Sequence, residues 1–269
     1  MNSARATSTK RRVAGKVKRV VPNELGAPAA SREQADPPLV REAAWICGLL
    51  QAGDSFYPTG SYAHSFGLET LVHEGVVHDR PTLREFILLS TLPALRHVEL
   101  PLAAHAWRAL AAPDWPRLGE ICRLSSALKT AREARQAAEN IGRQRAELMA
   151  GLRANSLARE FLARAAAGNW PCSPAVSAAL EGRALGAPLP AIMAGITYAT
   201  ISSLLAAAMK LLRLGQNASQ SLLTEALAAA PGLIASAEAT PLGEIGWFNP
   251  WLDIAAARHE AADARMFIS

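Results

Sequence analysis

The chain has 269 residues, half of them hydrophobic but only 6% aromatic, a length that can bury a sizeable core in one large or two small helical domains. Ala and Leu supply most of the apolar residues, so the composition predicts an all-α fold. Residues 1–40 contain eight Lys and Arg and three Glu and Asp, which accounts for the whole net charge of +5. The rest of the chain is therefore neutral. It lacks the excess of basic residues that is typical of a nucleic-acid-binding domain.

Residues 1–39 are predicted to form a disordered basic tail that ends near the prolines at 37 and 38. No apolar segment follows the basic start, so a secretory signal peptide is not expected, although the composition leaves a transit peptide open. Residues 40–269 are predicted to form a single domain, a bundle of about eight to ten helices.

Helix signals begin directly after the tail. A first helix is predicted over residues 40–51, and helical character returns over 65–74, where Gly75 has the position of a C-terminal cap. The loop between these two helices is rich in turn-forming residues.

A long apolar helix is predicted to begin near Thr82, which has the capping-box spacing to Glu85, and to run towards Leu110. Pro93 and Pro101 lie inside this segment. Because proline lacks an N–H group and its ring collides with the preceding turn, both positions predict a bend.

The clearest amphipathic pattern runs from Asp114 to about Leu152 and predicts one long helix. No segment alternates with period two for long enough to predict a strand. Further helices are predicted over residues 155–167, 174–185 with Ser173 as N-cap, 190–213, 218–230, and from Pro250 to about Ala264.

Residues 184–209 carry no charged side chain and are long enough to cross a bilayer. Their Gly, Pro, Ser, Thr and Ala content favours a core helix surrounded by other helices. The widely separated Cys47, Cys122 and Cys172 form neither a disulfide framework nor a zinc motif, so a reducing, cytoplasmic location is expected.

The common catalytic motifs are absent from the sequence, including those for phosphate loops, dinucleotides, zinc proteases and serine hydrolases. His73 and His78 are close but do not have the i,i+4 spacing of two ligands on one helix. No set of side chains offers a nucleophile with a positioned base. We therefore expect no catalytic residue, no cofactor and no metal ligand.

The loop before the second helix has the composition of a binding site. Gly60 and Gly67 permit backbone conformations that larger residues avoid. Two aromatic residues, a histidine and hydroxyl groups lie between them, and Glu69 follows. Such side chains suit protein interfaces, but an ordinary connecting loop with a buried aromatic side chain has the same composition, so both interpretations stay open.

Four segments stand out in order along the chain: residues 58–69, residues 130–135 with Gly142 and Arg143 downstream, residues 214–220, and residues 253–269. Together they resemble motifs of the UreF family of urease accessory proteins. The resemblance covers about residues 40–269 and leaves out the tail. Lys210 and Met266 stand where the family often has Arg and Leu.

The resemblance implies a non-catalytic, all-helical scaffold that tends to dimerise. Proteins of this family bind the accessory protein UreD, also called UreH, and through it the GTPase UreG, and they couple its GTP cycle to nickel delivery to apo-urease. On this interpretation Glu69 and its loop neighbours would face UreG or a shared surface, and residues 258–269 would become ordered against UreD.

The partners implied are UreD/UreH, UreG, the urease apoprotein and a second copy of the chain, with no nucleic acid and no membrane. The partner-binding residues implied are Pro58, Gly60, Ser61, Tyr62, His64, Ser65, Gly67, Glu69, Gly215, Gln216, Arg258, His259, Glu260, Arg265 and Phe267.

Two other functions are compatible with the residues alone. A helical regulator could use the basic tail to bind nucleic acid or an anionic membrane, which predicts salt-dependent binding. A helical enzyme could hold a metal ion with His64, His73 or Glu69, which predicts stoichiometric metal in the isolated protein.

Overall fold

Helices dominate the computed structural model, which describes residues 38–54, 56–262 and 265–268. Within these ranges there are no strands and there are ten helices of nine residues or more, so the predicted all-α bundle is confirmed. The predicted tail lies outside the described residues up to position 37, and the first helix already includes residues 38 and 39.

The helices are labelled in chain order. Their bounds are α1 Pro38–Ala52, α2 Leu68–His73, α3 Arg80–Ala109, α4 Trp115–Ala127, α5 Arg132–Leu152, α6 Ser156–Ala167, α7 Pro174–Leu185, α8 Leu189–Leu211, α9 Gln216–Ala228, α10 Ala230–Glu238 and α11 Pro250–His259.

Two of the predicted helix caps are confirmed. α7 begins where Ser173 accepts a hydrogen bond from the Val176 N–H at 3.5 Å and a proline occupies the first helical position. α2 ends in a Schellman motif, in which Gly75 has a φ of 73° and donates to the Val72 carbonyl at 3.0 Å.

The start of α3 differs from the prediction. Asp79 caps this helix: its carboxylate accepts from the Thr82 N–H at 2.9 Å, and the Asp79 N–H donates to Thr82 Oγ1 at 3.1 Å. The predicted box of Thr82 with Glu85 is wrong, because Pro81 needs no hydrogen-bond acceptor and fits into the first turn, which allows the helix to begin before it.

Pro93 and Pro101, where a bend was predicted, interrupt the regular hydrogen bonding of α3. A π-helical segment precedes each of them, Ile87–Thr91 and Leu95–Glu99. The His97 carbonyl, which a proline at position 101 cannot bond, accepts instead from the Gly246 N–H at 3.0 Å. This hydrogen bond connects α3 to the segment before α11.

The segment predicted as one helix from Asp114 to Leu152 is two helices, α4 and α5. Ala131 adopts an extended conformation and is buried, and Arg135 donates to the Lys129 carbonyl at 2.9 Å across the break. The apolar pattern continues through the break because both helices pack on the same body, so periodicity alone did not reveal it.

The end of the chain also differs from the prediction. α10 was not predicted; it begins at Ala230 and holds a proline in its first turn. α11 ends at His259, five residues before the predicted end, and the chain then turns back towards α2.

The core of the described residues consists of two adjacent clusters of buried side chains. One is built from α2, α3, α8 and α9, and the other from the second half of α3 with α4 to α7. Trp107 and Ile196 pack against both clusters and join them into one body, which lies within the compact unit of residues 37–269.

Two helices in the described part of the chain, α3 and α8, have the length and apolar composition of a membrane span, and less than half of each is buried. Both supply residues to the core clusters, as core helices of globular proteins do. The prediction that the uncharged segment 184–209 contributes a core helix, rather than a membrane span, agrees with this packing.

Candidate functional site

The carboxylate of Glu69 is the centre of a buried hydrogen-bond network. Glu69 lies in the first turn of α2 and is 1% exposed. Its Oε2 accepts from His259 Nε2 at 2.9 Å and from the Phe267 N–H at 3.1 Å, and its Oε1 accepts from the Met266 N–H at 2.6 Å. Three donors from the last twelve residues therefore converge on one side chain of α2.

His259 joins Glu69 to a second carboxylate. Its Nδ1 lies 2.8 Å from Glu133 Oε2, and Glu133 Oε1 accepts from Arg265 at 2.7 Å. Only the protonated imidazole carries a hydrogen on both ring nitrogens, so that form satisfies both carboxylates at once. We call Glu69, Glu133, His259 and Arg265 the C-terminal clasp.

Local structure explains how these side chains meet. Asn249 caps α11 by accepting from the Leu252 N–H at 3.2 Å, and this start places Ala255 and His259, one turn apart, on the buried side of the helix. Glu69 and Glu133 each lie in the first turn of their helices, where the helix dipole favours a negative charge.

Opposing effects act on the pKa of Glu69. Burial is the largest single contribution and raises the pKa, but hydrogen bonds from His259, Met266 and Phe267, together with the charge of His259, lower it below its ordinary value. The folded state thus keeps this buried carboxylate ionised, because its donors outweigh the loss of hydration.

The loop leading to Glu69 turns through two consecutive left-handed residues, Phe66 with a φ of 55° and Gly67 with a φ of 82°. A Cβ atom at Gly67 would lie 2.9 Å from Leu252 Cδ1, so a larger residue here would require the end of the Leu252 side chain to shift. The backbone of the loop also bonds to the C-terminal segment: the Ile268 N–H donates to the Ala63 carbonyl at 2.8 Å.

The other end of the loop is anchored by a second buried carboxylate. Glu181 of α7 is fully buried and accepts from Tyr57 Oη at 2.9 Å and from Arg145 Nε at 2.7 Å. Burial, followed by the charge and hydrogen bond of Glu181, raises the pKa of Tyr57 to about 12. Both ends of the loop are therefore fixed by charge-assisted hydrogen bonds.

The structure brings together many of the predicted site residues. Ser65 Oγ accepts from the Glu69 N–H at 3.4 Å, and Phe267 is buried beneath Lys210, whose ammonium lies 5.3 Å from the ring centroid. His64 is buried, which lowers its pKa, while the charge of Glu133 acts in the opposite direction.

Other predicted residues lie around this network. Arg258 pairs with Glu74 at 2.7 Å, and Glu260 pairs with Arg132. Ser61 is half-buried and its hydroxyl accepts from Thr59 at 3.1 Å, whereas Pro58 and Gly60 are exposed, and the side chain of Tyr62 is outside the described part of the structure. Gly215 and Gln216 are exposed at the start of α9 and take no part in these hydrogen bonds.

The position of Glu69 differs from what the resemblance implied. Its carboxylate faces the chain's own C-terminal segment rather than an open surface, so contact between Glu69 and a partner stays a prediction. The predicted site residues did not include Tyr57, Glu133, Arg145 or Glu181, although Glu133 lies in the family-like segment 130–135. Glu181 had one usable signal, because it is the single acidic residue in α7, whose other polar side chains are those of Ser177 and Arg183.

The chemistry of the clasp is that of a structural network. In the part of the chain that the structure describes, no group of three or more His, Cys, Asp or Glu side chains could hold a metal ion. The clasp contains ligand-type groups, but N–H donors already occupy the oxygens of Glu69 and Glu133. Around it lie three exposed apolar side chains, Phe66, Met266 and Ile268.

A long apolar groove adjoins the loop. It has a volume of about 1140 Å³ and runs between α1, α5, α8 and α11. Ile46, Leu50 and Tyr198 line it and are themselves exposed, and the α8 wall is made largely of Ala, Gly and Ser. Walls of small residues allow another helix to approach closely.

The described residues thus define an all-helical protein with one loop fixed at both ends and an apolar groove beside it. Comparison with known sequences gives a more specific result. The UreF family model matches residues 77–227, more than half of the chain.

Relatives with known names agree with this match. The urease accessory protein UreF of Paenarthrobacter aurescens strain TC1 is 29% identical over 227 residues, which cover 84% of this chain and 99% of the relative. Urease accessory protein UreF 1 of Brucella melitensis is 32% identical over 222 residues, 82% of this chain and 91% of the relative. The chain therefore belongs to the UreF family of urease accessory proteins, as its motifs predicted, and membership supports an accessory role in urease maturation.

Proposed function

We propose that this protein is a non-catalytic scaffold of urease maturation, which binds UreD (UreH) and the GTPase UreG in the cytoplasm. In this role it couples GTP hydrolysis to nickel insertion into apo-urease. The observation that carries the proposal is that two of the family-like segments, the loop at 58–69 and the C-terminal segment, meet at Glu69 in a protein of the UreF family.

The physical basis is preorganisation. Buried charge-assisted hydrogen bonds fix the loop and the C-terminal segment, while Phe66, Met266 and Ile268 remain exposed beside them. A surface that is already ordered loses little conformational entropy when a partner binds. Exposed apolar side chains on such a surface have the position of interface anchors.

Self-association is part of the proposal, since the resemblance implies a homodimer. The exposed apolar side chains of α1 and α8 along the groove are the surface that we assign to a second copy of the chain.

The test is co-expression with UreD and UreG, followed by size-exclusion chromatography and an assay of urease activation. Met266→Ser and Ile268→Ser remove exposed apolar groups without touching the side chains of the clasp. We expect both variants to elute with less UreD than the wild type and to activate urease less. Leu152→Ser is the matched control, because Leu152 is equally exposed and lies at the opposite end of α5 from Glu133.

Co-elution of UreD with the wild type and the Leu152 variant, reduced in the other two, supports the scaffold at this surface. If the wild type forms no complex with UreD or UreG at low or moderate salt, the proposed function is wrong. If all variants bind equally, the partners bind elsewhere on the protein.

A further inference from the structure

Glu181, Tyr57 and Arg145 form a buried polar triad between α5, α7 and the residue that directly precedes the loop at 58–69. Glu181 is fully buried and Tyr57 is 8% exposed. Tyr57 Oη donates to Glu181 Oε1 at 2.9 Å, and Arg145 Nε donates to Glu181 Oε2 at 2.7 Å. In the part of the chain that the structure describes, these are the two hydrogen bonds that the Glu181 carboxylate accepts. One side chain of α7 therefore holds both α5 and the start of the loop.

Net stability alone does not explain such a triad. Burial of an ion pair costs about as much free energy as the attraction of the two charges returns, so apolar side chains of similar size are often equally stable or more stable. The surroundings would accept them, because residues 175–180 of α7 are all buried and, apart from Ser177, apolar. A hydrogen bond to a carboxylate adds a defined direction and length, which an apolar contact lacks.

The turn before the loop depends on the position of Tyr57. Asp54 accepts from the Phe56 N–H with its carboxylate and from the Tyr57 N–H with its carbonyl, both at 2.9 Å. The Tyr57 carbonyl in turn accepts from the Thr59 N–H at 2.7 Å. Because Phe56 is 90% exposed, the turn rather than side-chain packing sets its direction. A shift of Tyr57 would therefore move Phe56 and the first residues of the loop.

We propose that Glu181 is a positioning residue: through the hydroxyl group of Tyr57 it fixes where the loop begins and directs Phe56 towards a partner, and it contributes little to the net stability of the fold. Arg145 supplies the opposite charge that a carboxylate needs in this place. Burial raises the pKa of Tyr57 to about 12, so its hydroxyl group keeps the proton that it donates. The inference rests on the proposed function, in which this protein binds UreD and UreG.

Other polar contacts near the triad hold different parts of the protein. Arg153 donates to Gln51 at 2.8 Å and joins the end of α5 to α1. Ser177, one turn before Glu181, donates to the Gly142 carbonyl at 2.7 Å and joins α7 to α5. Neither contact includes the hydroxyl group of Tyr57. Loss of the triad should therefore leave the packing of these helices in place and release the start of the loop.

Three variants and one control separate positioning from stability. Tyr57→Phe removes only the hydroxyl group. A triple variant, with Tyr57→Phe, Arg145→Met and Glu181→Leu, replaces the triad by apolar side chains of similar size. Phe56→Ser removes the exposed ring and leaves the triad intact. Ser177→Ala is the matched control, because it removes a buried hydrogen bond between the same two helices without touching the loop.

Urea unfolding and amide hydrogen exchange are measured on the isolated full-length protein. The triple variant should unfold at a urea concentration equal to or above that of the wild type. In this variant and in Tyr57→Phe, the amides of Phe56 and Thr59 should exchange about tenfold faster, the factor that one charge-assisted hydrogen bond represents. Ser177→Ala should unfold at a lower urea concentration, with wild-type exchange at both amides.

Co-elution with UreD and UreG tests whether the position of the loop matters for binding. Phe56→Ser, Tyr57→Phe and the triple variant should each bind about tenfold more weakly than the wild type, as the loss of one interface anchor predicts. Ser177→Ala should bind like the wild type although it is less stable. A purely structural role of the triad predicts the opposite order, in which binding follows stability.

A triple variant that fails to fold, or that unfolds at a clearly lower urea concentration, would overturn the proposal, because the triad would then supply stability. Unchanged exchange at Phe56 and Thr59 in Tyr57→Phe would overturn it as well, and so would undiminished binding by variants whose exchange has increased. If the wild type forms no complex, the proposed function fails. The urea and exchange data on the isolated protein then still decide whether Glu181 positions the loop.

Discussion

Glu69 and Glu181 are two buried carboxylates that anchor the two ends of one loop. An ionised group that is buried without partners is strongly destabilising, whereas a paired one is tolerated. Glu69 has three donors and Glu181 has two, including Arg145. The sequence next to Glu69 or Glu181 does not reveal their hydrogen-bond donors, because these donors lie 36 or more positions away along the chain.

Gly67 is the residue at which a small change tests the contact between the loop and α11. Gly67→Ala should lower the free energy of unfolding by about 2 kcal/mol, partly from the left-handed conformation and partly from the crowding of Leu252. Gly75→Ala is the matched control, because Gly75 has a similar φ but no atom within 4 Å of an added Cβ, and it should lose about 1 kcal/mol. Urea unfolding measures both, and equal losses would show that the contact with Leu252 contributes nothing.

Proline residues inside α3 and the early end of α11 each have a structural explanation. The helix α3 accommodates two prolines because a π-helical segment precedes each of them. The His97 carbonyl, to which Pro101 has no N–H to donate, accepts a hydrogen bond from the Gly246 N–H instead. The helix α11 ends early because the residues after His259 must reverse direction to reach Glu69.

Exposed side chains of α1 and α8 along the groove allow the proposed dimer to be tested. Leu50 is 70% exposed and lines the groove, as does Tyr198 on α8. In analytical ultracentrifugation we expect the wild type to sediment as a dimer, at twice the chain mass of 28.5 kDa. The variants Leu50→Ser and Tyr198→Ser should each raise the dimer dissociation constant about tenfold, because each removes one apolar side chain from the interface.

Val76→Ser is the control for these variants, because Val76 is exposed but lies outside the groove. A wild type that stays monomeric at high concentration, or a dimer that both groove variants leave intact, would contradict the assignment of this surface.

At the scale of the whole molecule, stability should depend on pH through groups near the site. Burial lowers the pKa of His64 from 6.5, so the unfolded chain binds this proton at a higher pH than the folded one. Its contribution is fully present above pH 6.5 and falls as the pH drops below that value. For Glu69, burial raises the pKa but the hydrogen bonds lower it below 4.5, so its contribution is lost only at still lower pH.

The expected result is a free energy of unfolding that decreases from pH 7 towards pH 5, with a slope of at most about 1.4 kcal/mol per pH unit from one proton. His64→Gln should remove most of this early decrease, whereas His73→Gln, at an exposed position, should retain it. Urea unfolding at three pH values measures the slopes. Equal slopes in both variants would mean that other groups are responsible.

Much of the fold could be predicted because helix periodicity and capping are local. The positions of α6, α7 and α8, the Ser173 cap and the Gly75 end follow from residues within one or two turns. The break between α4 and α5 could not be predicted from the apolar pattern, which continues through it. The start of α10 escaped prediction because its proline was compatible with a loop as well as with a first helical turn.

For the site, the sequence by itself identified the loop at 58–69, the C-terminal residues around His259 and the family to which the chain belongs. Only the tertiary structure decided that Glu69 accepts hydrogen bonds from His259 and from the backbone near the end of its own chain, and that Glu133 completes the network. The physical reason is distance: the donors to Glu69 lie 190 or more positions away along the chain, and no local pattern specifies which donors will reach it.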